Sequence, residues 1–395
     1  MRVALLTLAV PIPDHPSVGL YNISQCQGII NLGHDARIIT CAPLIPKCAA
    51  RLSRACSRHR LRPYATHRGD VEIRTTRVPI AYTKSLREQW TRRSPEGVQR
   101  VFTRAVQRAV NRELHMYKPD LVVAHGVFPW SDLVNRYARM QSVRTIAVEH
   151  SGSDIKRIVK HGRLRSAYRK RAQHFHRVYA VNQHMAHAIQ RIGLANVHNI
   201  QNGITDCLMQ EQQRERRSGF TILCAGSYVE RKGHTYLLKA FAAANISEAR
   251  IRLIGKPPPE IEDLIGRLGI RSRVSILPEM TQSQLRHEML NADLFALPSA
   301  DEAFGLVFAE SLSVGTPILL GEGAGVLELP HVRESAWVVP PRNTEAIRQA
   351  LLNAAKAIGH DSSQNLQRAK DWVRTHLTWE QNARTLLELP SVHAR

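Results

Sequence analysis

The chain has 395 residues, 43% of them hydrophobic, and a formal net charge of +22. That length supports two or three domains with ample buried core. No apolar run reaches the roughly 18 residues a membrane-crossing helix needs, and the six cysteines show no C-x-x-C spacing, do not resemble a disulfide framework or a zinc site, and point to reduced cytosolic thiols.

The charge is lopsided. Residues 1–200 hold 33 of the 55 Lys/Arg but only 11 of the 33 Asp/Glu, so the whole excess lies there and residues 201–395 are neutral. Runs such as Arg51 to Arg54, Arg58 to Arg60, Arg92-Arg93 and Arg163 to Arg171 carry much of it. Such a field draws a domain to anionic surfaces. An acidic membrane face is the preferred partner, nucleic acid is the less favoured one, and a solvated face with no partner stays open.

Along the chain, short apolar strands alternate with helical stretches. Met1 to Val10 has the look of a weak leader, but Pro11, Pro13 and Asp14 follow so closely that a first strand, Val3 to Leu8, explains it better. A helix is predicted over Tyr21 to Leu32, a turn at Gly33-His34, and strands at Ala36 to Thr40, Leu121 to Ala124, Thr145 to Val148 and Val178 to Val181. Residues 41–117 are the least legible. They hold five prolines and two stretches, Lys84 to Arg93 and Gln99 to Tyr117, that read as basic amphipathic helices. In the second half, strands are predicted at Thr221 to Ala225, Ile251 to Ile254, Val274 to Leu277, Leu294 to Leu297, Ile318 to Leu320 and Trp337 to Val339. Thr281 to Gln284 has the form of a capping box.

Strand–helix alternation predicts parallel sheets covered on both faces. Two such series meet near the polar connector Glu211 to Ser218. The expected domains are 1–204, 205–370 and a terminal helix over 371–395 that crosses back to the first. Two Rossmann-like, doubly wound domains would face each other across a cleft, with ligands beyond the carboxyl ends of the strands.

The richest stretch is Pro298-Ser-Ala-Asp-Glu302-Ala-Phe-Gly305-Leu-Val-Phe-Ala-Glu310. A strand ends at Pro298, Glu302 sits in the turn, and a helix starts near Leu306 and stops by Gly315. The amides of Phe304, Gly305 and Leu306 then lie at a helix N-terminus, where an anion is favoured. Carboxylates beside free amides suit a ligand carrying hydroxyls and phosphates. A second phosphate candidate is Gly226 to His234, a strand-to-helix turn bearing Arg231 and Lys232. His125 and His150 each stand just past a strand, and Gly19 in the first strand–helix loop is the position best suited to a close backbone approach.

The signature resembles the Glu-x7-Glu motif of the family 4, group 1 retaining glycosyltransferases, whose fold is GT-B. The resemblance covers nearly the whole chain. It is specific over 221–340 and looser over 1–200, where Ala124-His125, Glu149-His150-Ser151 and the junction Gln201-Asn202-Gly203 are similar to the family's acceptor-side and junction segments. It implies that Glu302 contacts the donor sugar, Glu310 holds the nucleotide ribose, Lys232 with Arg231 meets the diphosphate, Phe304, Gly305 and Leu306 approach sugar and phosphate, and Gly19 binds the donor from the loop that closes over its phosphate and the acceptor. It implies a catalytic part for Glu302, His125 and Lys232, with His150 supporting the acceptor. Ser227 stands where the family usually has an Arg.

The implied activity is transfer of a sugar from a nucleotide-diphosphate sugar to a glycan or lipid-linked acceptor, with no metal or other cofactor, in cell-surface polysaccharide or glycolipid assembly. The expected location is the cytoplasm, at the inner face of its membrane. Two alternatives stand beside it: a nucleotide-sugar epimerase or hydrolase of similar architecture, and an inactive scaffold of the same fold. Ser227 favours the scaffold; intact Glu302, Glu310 and Lys232 oppose it.

Overall fold

The computed structural model describes residues 1–11, 18–43, 65–78, 95–205, 214, 219–357 and 364–389. The basic runs at 51–60, the stretch 84–93, loop residues 12–17 and the connector 211–218 apart from Arg214 fall outside the described residues. The chain divides into two compact units, one of Met1–Gln201 with Trp379–Arg395, the other of Asn202–Thr378.

The first unit runs β1 (Arg2–Thr7), α1 (Leu20–Asn31), β2 (Asp35–Pro43), β3 (Ala65–Arg68), β4 (Val71–Val78), α2 (Pro95–Tyr117), β5 (Leu121–His125), α3 (Val127–Gln141), β6 (Arg144–Glu149), α4 (Gly152–Lys160), α5 (Gly162–Ala172), β7 (Arg177–Ala180), α6 (Gln183–Gln190) and β8 (Val197–Asn199). Its strands lie in the order β3-β4-β2-β1-β5-β6-β7-β8. All pairs are parallel except β3 with β4. The central strands are apolar throughout because helices cover both faces: Val3 to Leu6 and Leu121 to Ala124 are fully buried.

The second unit holds β9 (Thr221–Ala225), α7 (His234–Ala244), β10 (Arg250–Ile254), α8 (Pro259–Arg267), β11 (Val274–Leu277), α9 (Gln282–Leu290), β12 (Leu294–Leu297), α10 (Leu306–Ser313), β13 (Ile318–Gly321), β14 (Ala336–Val339), α11 (Thr344–Ala357) and α12 (Gln364–His376). Its parallel sheet has the order β11-β10-β9-β12-β13-β14. Thr281 forms the capping box with Gln284 that starts α9.

Each sheet has one point where the strand order turns back. It lies between β1 and β5 in the first unit and between β9 and β12 in the second. Loops leaving the carboxyl ends of these neighbours diverge to opposite faces and leave a crevice, the usual ligand position in such sheets.

Where one terminal helix is expected over 371–395, two are found: α12, and α13 (Trp379–Leu387), which packs on α1 in the first unit. The break falls at Leu377-Thr378, where Leu377 carbonyl accepts from Ile204 N–H at 2.7 Å. Gly28 makes the α1–α13 contact possible: a Cβ there would lie 2.4 Å from the Trp379 carbonyl oxygen. Gln25 donates to Asn382 at 2.8 Å, and Asn382 donates to the Gln201 carbonyl at 2.6 Å. Glu388 closes the tail by pairing with Arg144 at 2.8 Å and with Arg177.

The poorly legible region 41–117 supplies the β3–β4 hairpin and α2. Helix α2 starts at Pro95, four residues earlier than expected, with the proline in the first turn where a missing N–H costs nothing. No helix among the described residues is long and apolar enough to cross a membrane.

Candidate active site

In the second unit, the β9–α7 and β12–α10 loops stand side by side at the turning point of the sheet. Ala300 N–H donates to the Arg231 carbonyl at 2.7 Å, tying one loop to the other. Gly233 allows that closeness, since a Cβ there would lie 2.4 Å from the Pro298 carbonyl oxygen and its φ is +80°. The signature loop is held from its other side, where Gly325 N–H reaches the Glu302 carbonyl at 3.1 Å and Val326 N–H the Phe304 carbonyl at 2.7 Å.

Across this junction Lys232 Nζ is ion-paired with Glu302 Oε2. Their side chains are only 12% and 16% exposed. Ser299 adds a long 3.5 Å contact to the same oxygen. The two residues assigned to separate ligand groups from sequence are thus partners of one another. Arg231 is exposed, and its Nη1 donates to the Asp301 carbonyl at 2.9 Å, which anchors the guanidinium beside Glu302. Ser227 is also exposed and brings no cation.

Helix α10 begins at Leu306 after Gly305, whose φ of +92° only glycine adopts without strain. Phe304 is buried beneath the loop. The first-turn amides of a helix have no partner within it and carry the positive end of its dipole. One turn further, Glu310 is buried, with 6% exposure. Nothing among the described residues donates to its carboxylate, and burial pushes its pKa up to about 7.

His234 opens α7 directly after this loop and escaped the sequence reading. Its ring is buried 4.4 Å from that of Tyr228, and neither ring nitrogen has a hydrogen-bond partner among the described residues. Desolvation and then the neighbouring Lys232 lower its pKa to about 4, so the imidazole is neutral.

In the first unit, the strand ends at the β1/β5 turning point carry a second cluster. His125 pairs in register with Val148, which places His150, just past the end of β6, close by. His125 Nδ1 lies 2.9 Å from His150 Nε2, and the rings stack at 11° with centroids 5.0 Å apart. Burial holds both below the usual histidine range, His150 at about 4, so the pair is neutral at physiological pH. His125 Nε2 is buried without a hydrogen-bond partner among the described residues. Tyr21 from α1 covers the pair, its ring 4.6 Å from that of His150. A first-turn tyrosine of α1 carries no motif, so no sequence signal marked it. Gly19 caps α1 with φ +72°. The space its Cβ would fill is taken by the Ala9 carbonyl, 2.3 Å away, so its own backbone packing already requires glycine.

The pattern of the family described as Glycosyltransferase Family 4 matches residues 18–206, and that of Glycosyl transferases group 1 matches residues 208–368. A D-inositol 3-phosphate glycosyltransferase of Mycobacteroides abscessus is 32% identical over 111 residues, covering 26% of this chain and 25% of that protein. The matched segments span only about a quarter to a third of the first such relatives. Among solved structures, sucrose-phosphate synthase from Thermosynechococcus elongatus superimposes with a TM-score of 0.71 at 17% identity, over 98% of both chains. An Anabaena protein, HepE, in complex with UDP-glucose superimposes with a TM-score of 0.67 at 15% identity, also over 98% of both. These likenesses show the GT-B fold.

Proposed function

We propose that this chain, which belongs to the family 4, group 1 glycosyltransferases, moves a sugar from a nucleotide-diphosphate sugar to an acceptor hydroxyl with retention at the anomeric carbon. The observation that carries the reading is the Lys232–Glu302 pair beside the start of α10, at the turning point of the second unit's sheet. The partial positive charge of the first-turn amides at Gly305 and Leu306 and the full charge of the Lys232 ammonium suit a diphosphate. Glu302 orients the sugar hydroxyls and Glu310 takes the ribose hydroxyls.

In the reaction, the bond from the anomeric carbon to the phosphate oxygen breaks as the acceptor oxygen bonds to the same face. The acceptor's proton passes to the departing diphosphate. The protein then needs no covalent nucleophile, and catalysis rests on positioning and on stabilising charge on the leaving group. The acceptor falls to the first unit, with His125 and His150 at its site. Its natural form is a glycan or lipid-linked hydroxyl in cell-surface polysaccharide or glycolipid assembly.

A thermal-shift panel of nucleotides and nucleotide sugars tests the donor site. Because HepE is seen with UDP-glucose, uridine diphosphate and its sugars head the panel. One base's diphosphate and its sugars should raise the melting temperature. No shift with any of them would remove the donor site and the reading with it. Binding without turnover on any acceptor would instead favour the scaffold, the alternative that Ser227 supports.

The basic charge of the first unit suits work at an anionic membrane face. Arg104, Arg108 and Arg112 stand exposed one turn apart along α2, and Arg163, Arg165 and Arg169 are exposed on α5, which packs against it. Each such side chain near an acidic bilayer contributes on the order of 1 kcal/mol. Co-sedimentation with anionic vesicles should show binding that weakens steeply as salt rises. Equal binding to neutral vesicles, or none to either, would rule this surface out as a membrane contact.

A further inference from the structure

Beneath the histidine pair lies a carboxylate that the proposed reaction leaves unused. Glu149 ends β6, is 7% exposed, and directly precedes His150. Its Oε1 accepts from Val127 N–H at 2.8 Å and from the Tyr168 hydroxyl at 3.1 Å. Its Oε2 lies 3.8 Å from the point a Cβ on Gly126 would occupy. The side chain therefore runs beneath the turn that follows His125.

That turn needs an external hold. Ladder pairing between β5 and β6 ends with Gly126 N–H donating to the Val148 carbonyl at 2.8 Å. Gly126 then takes a φ of +90°, and the next amide, Val127 N–H, faces the buried Glu149 instead of a strand. A buried amide without an acceptor is costly, so the carboxylate fixes the course of the chain just past His125. Tyr168 from α5 is fully buried, and its ring meets that of Phe128 edge-on at 6.0 Å. One carboxyl oxygen thus joins the segment carrying His125, the segment carrying His150 and the helix behind both.

We propose that Glu149 is a positioning residue for the transfer reaction: through Val127 N–H and the Tyr168 hydroxyl it holds the two histidine-bearing strand ends so that His125 Nδ1 and His150 Nε2 stay in contact. This rests on the reading that the histidine pair serves the acceptor. The role calls for a hydrogen-bond acceptor in this place, and it does not call for a charge. Burial is the largest influence on the group and raises its pKa to about 7, with Asp154 adding to the rise and the two hydrogen bonds opposing it. A partly protonated carboxyl still accepts through Oε1.

The test compares Glu149→Gln, Glu149→Ala and Tyr168→Phe by ¹⁵N imidazole NMR of the two histidines and by steady-state kinetics. Glu149→Gln should keep the imidazole signals and hold kcat within about threefold of the parent. Glu149→Ala should move both signals and lower kcat about 10- to 100-fold, as a misplaced site group does. Nucleotide-induced stabilisation should not change, because Lys232, Glu302 and Glu310 lie in the other unit. Should the alanine variant fail to fold, Tyr168→Phe removes one of the two donors and should move the same signals by less. Unmoved imidazole signals in Glu149→Ala or Tyr168→Phe would overturn the proposal. So would a glutamine variant that fails as alanine does, which would make the charge itself the requirement. If the chain transfers no sugar at all, the imidazole signals still report whether Glu149 holds the pair, so the two failures are distinguishable.

Discussion

Lys232→Ala is expected to lower turnover by about 100- to 1,000-fold, the usual loss when one preorganised group facing a developing negative charge is removed. The Lys232 ammonium is the counter-charge of a mostly buried Glu302. In the reaction proposed above, the same ammonium would also face a diphosphate whose negative charge grows as the sugar leaves. Alanine removes both interactions. Leaving Glu302 without its partner should also cost stability, about 1–3 kcal/mol for a carboxylate mostly withdrawn from water.

A double-mutant cycle with Glu302→Gln separates the two effects. The stability loss of the double variant should be well below the sum of the single losses, because no buried carboxylate is then stranded. Its turnover should stay as low as that of Lys232→Ala. Near-normal turnover in Lys232→Ala would show that the diphosphate is held elsewhere, and Arg231, anchored on the Asp301 carbonyl, would be the next residue to replace.

Glu310→Gln should have opposite effects on stability and on binding. The folded pKa of Glu310 is raised to about 7, against an unfolded carboxyl near 4.3. Between those two values the folded state binds more protons than the unfolded one, so this group lowers stability progressively as pH rises through that window. The full penalty, reached above pH 7, is on the order of 4 kcal/mol. Below the unfolded pKa it vanishes. Glutamine carries no such penalty and should melt at a higher temperature than the parent at pH 8, with little difference at pH 4.

Nucleotide affinity should move the other way. On the proposed assignment ribose hydroxyls would donate to the ionised carboxylate, so binding would be linked to proton release and should tighten as pH rises towards 7. Glutamine should weaken binding by about 10- to 100-fold at pH 8, the worth of a hydrogen bond to a charged group. It should also remove the part of the pH slope that belongs to this residue. The diphosphate titrates in both proteins, so the difference between their calorimetric curves isolates position 310. Equal affinities would withdraw the ribose assignment.

Much of the second unit was legible because its chemistry is written in contiguous segments. Glu302, Gly305 and Glu310 lie on one strand–loop–helix passage, and Lys232 ends a second such loop. The pairing of Lys232 with Glu302 was not legible, since it depends on β9 and β12 being neighbours, 70 residues apart in sequence. In the first unit the strand-end positions of His125 and His150 could be read, but their contact needed the β5–β6 register. Tyr21 and Tyr168 reach the cluster from helices whose sequences show only ordinary amphipathic and basic patterns. Glu149 read as a strand end followed by a histidine, and only the buried amide of Val127 shows what its carboxyl does.

The β3–β4 hairpin shows a different kind of miss. In Val71-Glu72-Ile73-Arg74-Thr75, buried and partly exposed residues alternate, which is the pattern of a half-covered strand. Nearby prolines and dense basic charge hid a signal that was present. α4 and α5 were hidden likewise, since their few apolar residues, such as Ile155, Ile158, Leu164 and Tyr168, are embedded in runs of Lys and Arg.

The docking of α13 on α1 has a consequence for biosynthesis. The first unit is discontinuous: its last helix is translated only after the whole of Asn202–Thr378. At roughly 5–20 residues per second that interval is on the order of ten to thirty-five seconds. During it, the α1 face around Gln25 and Gly28 has no Trp379 backbone to pack against, and the buried amide of Gln25 has no Asn382 to meet. The nascent first unit therefore waits in an unfinished state while the second can already close on itself. A chain shortened before Trp379 would keep every residue assigned here to donor and acceptor, yet it would hold its first unit permanently at that stage.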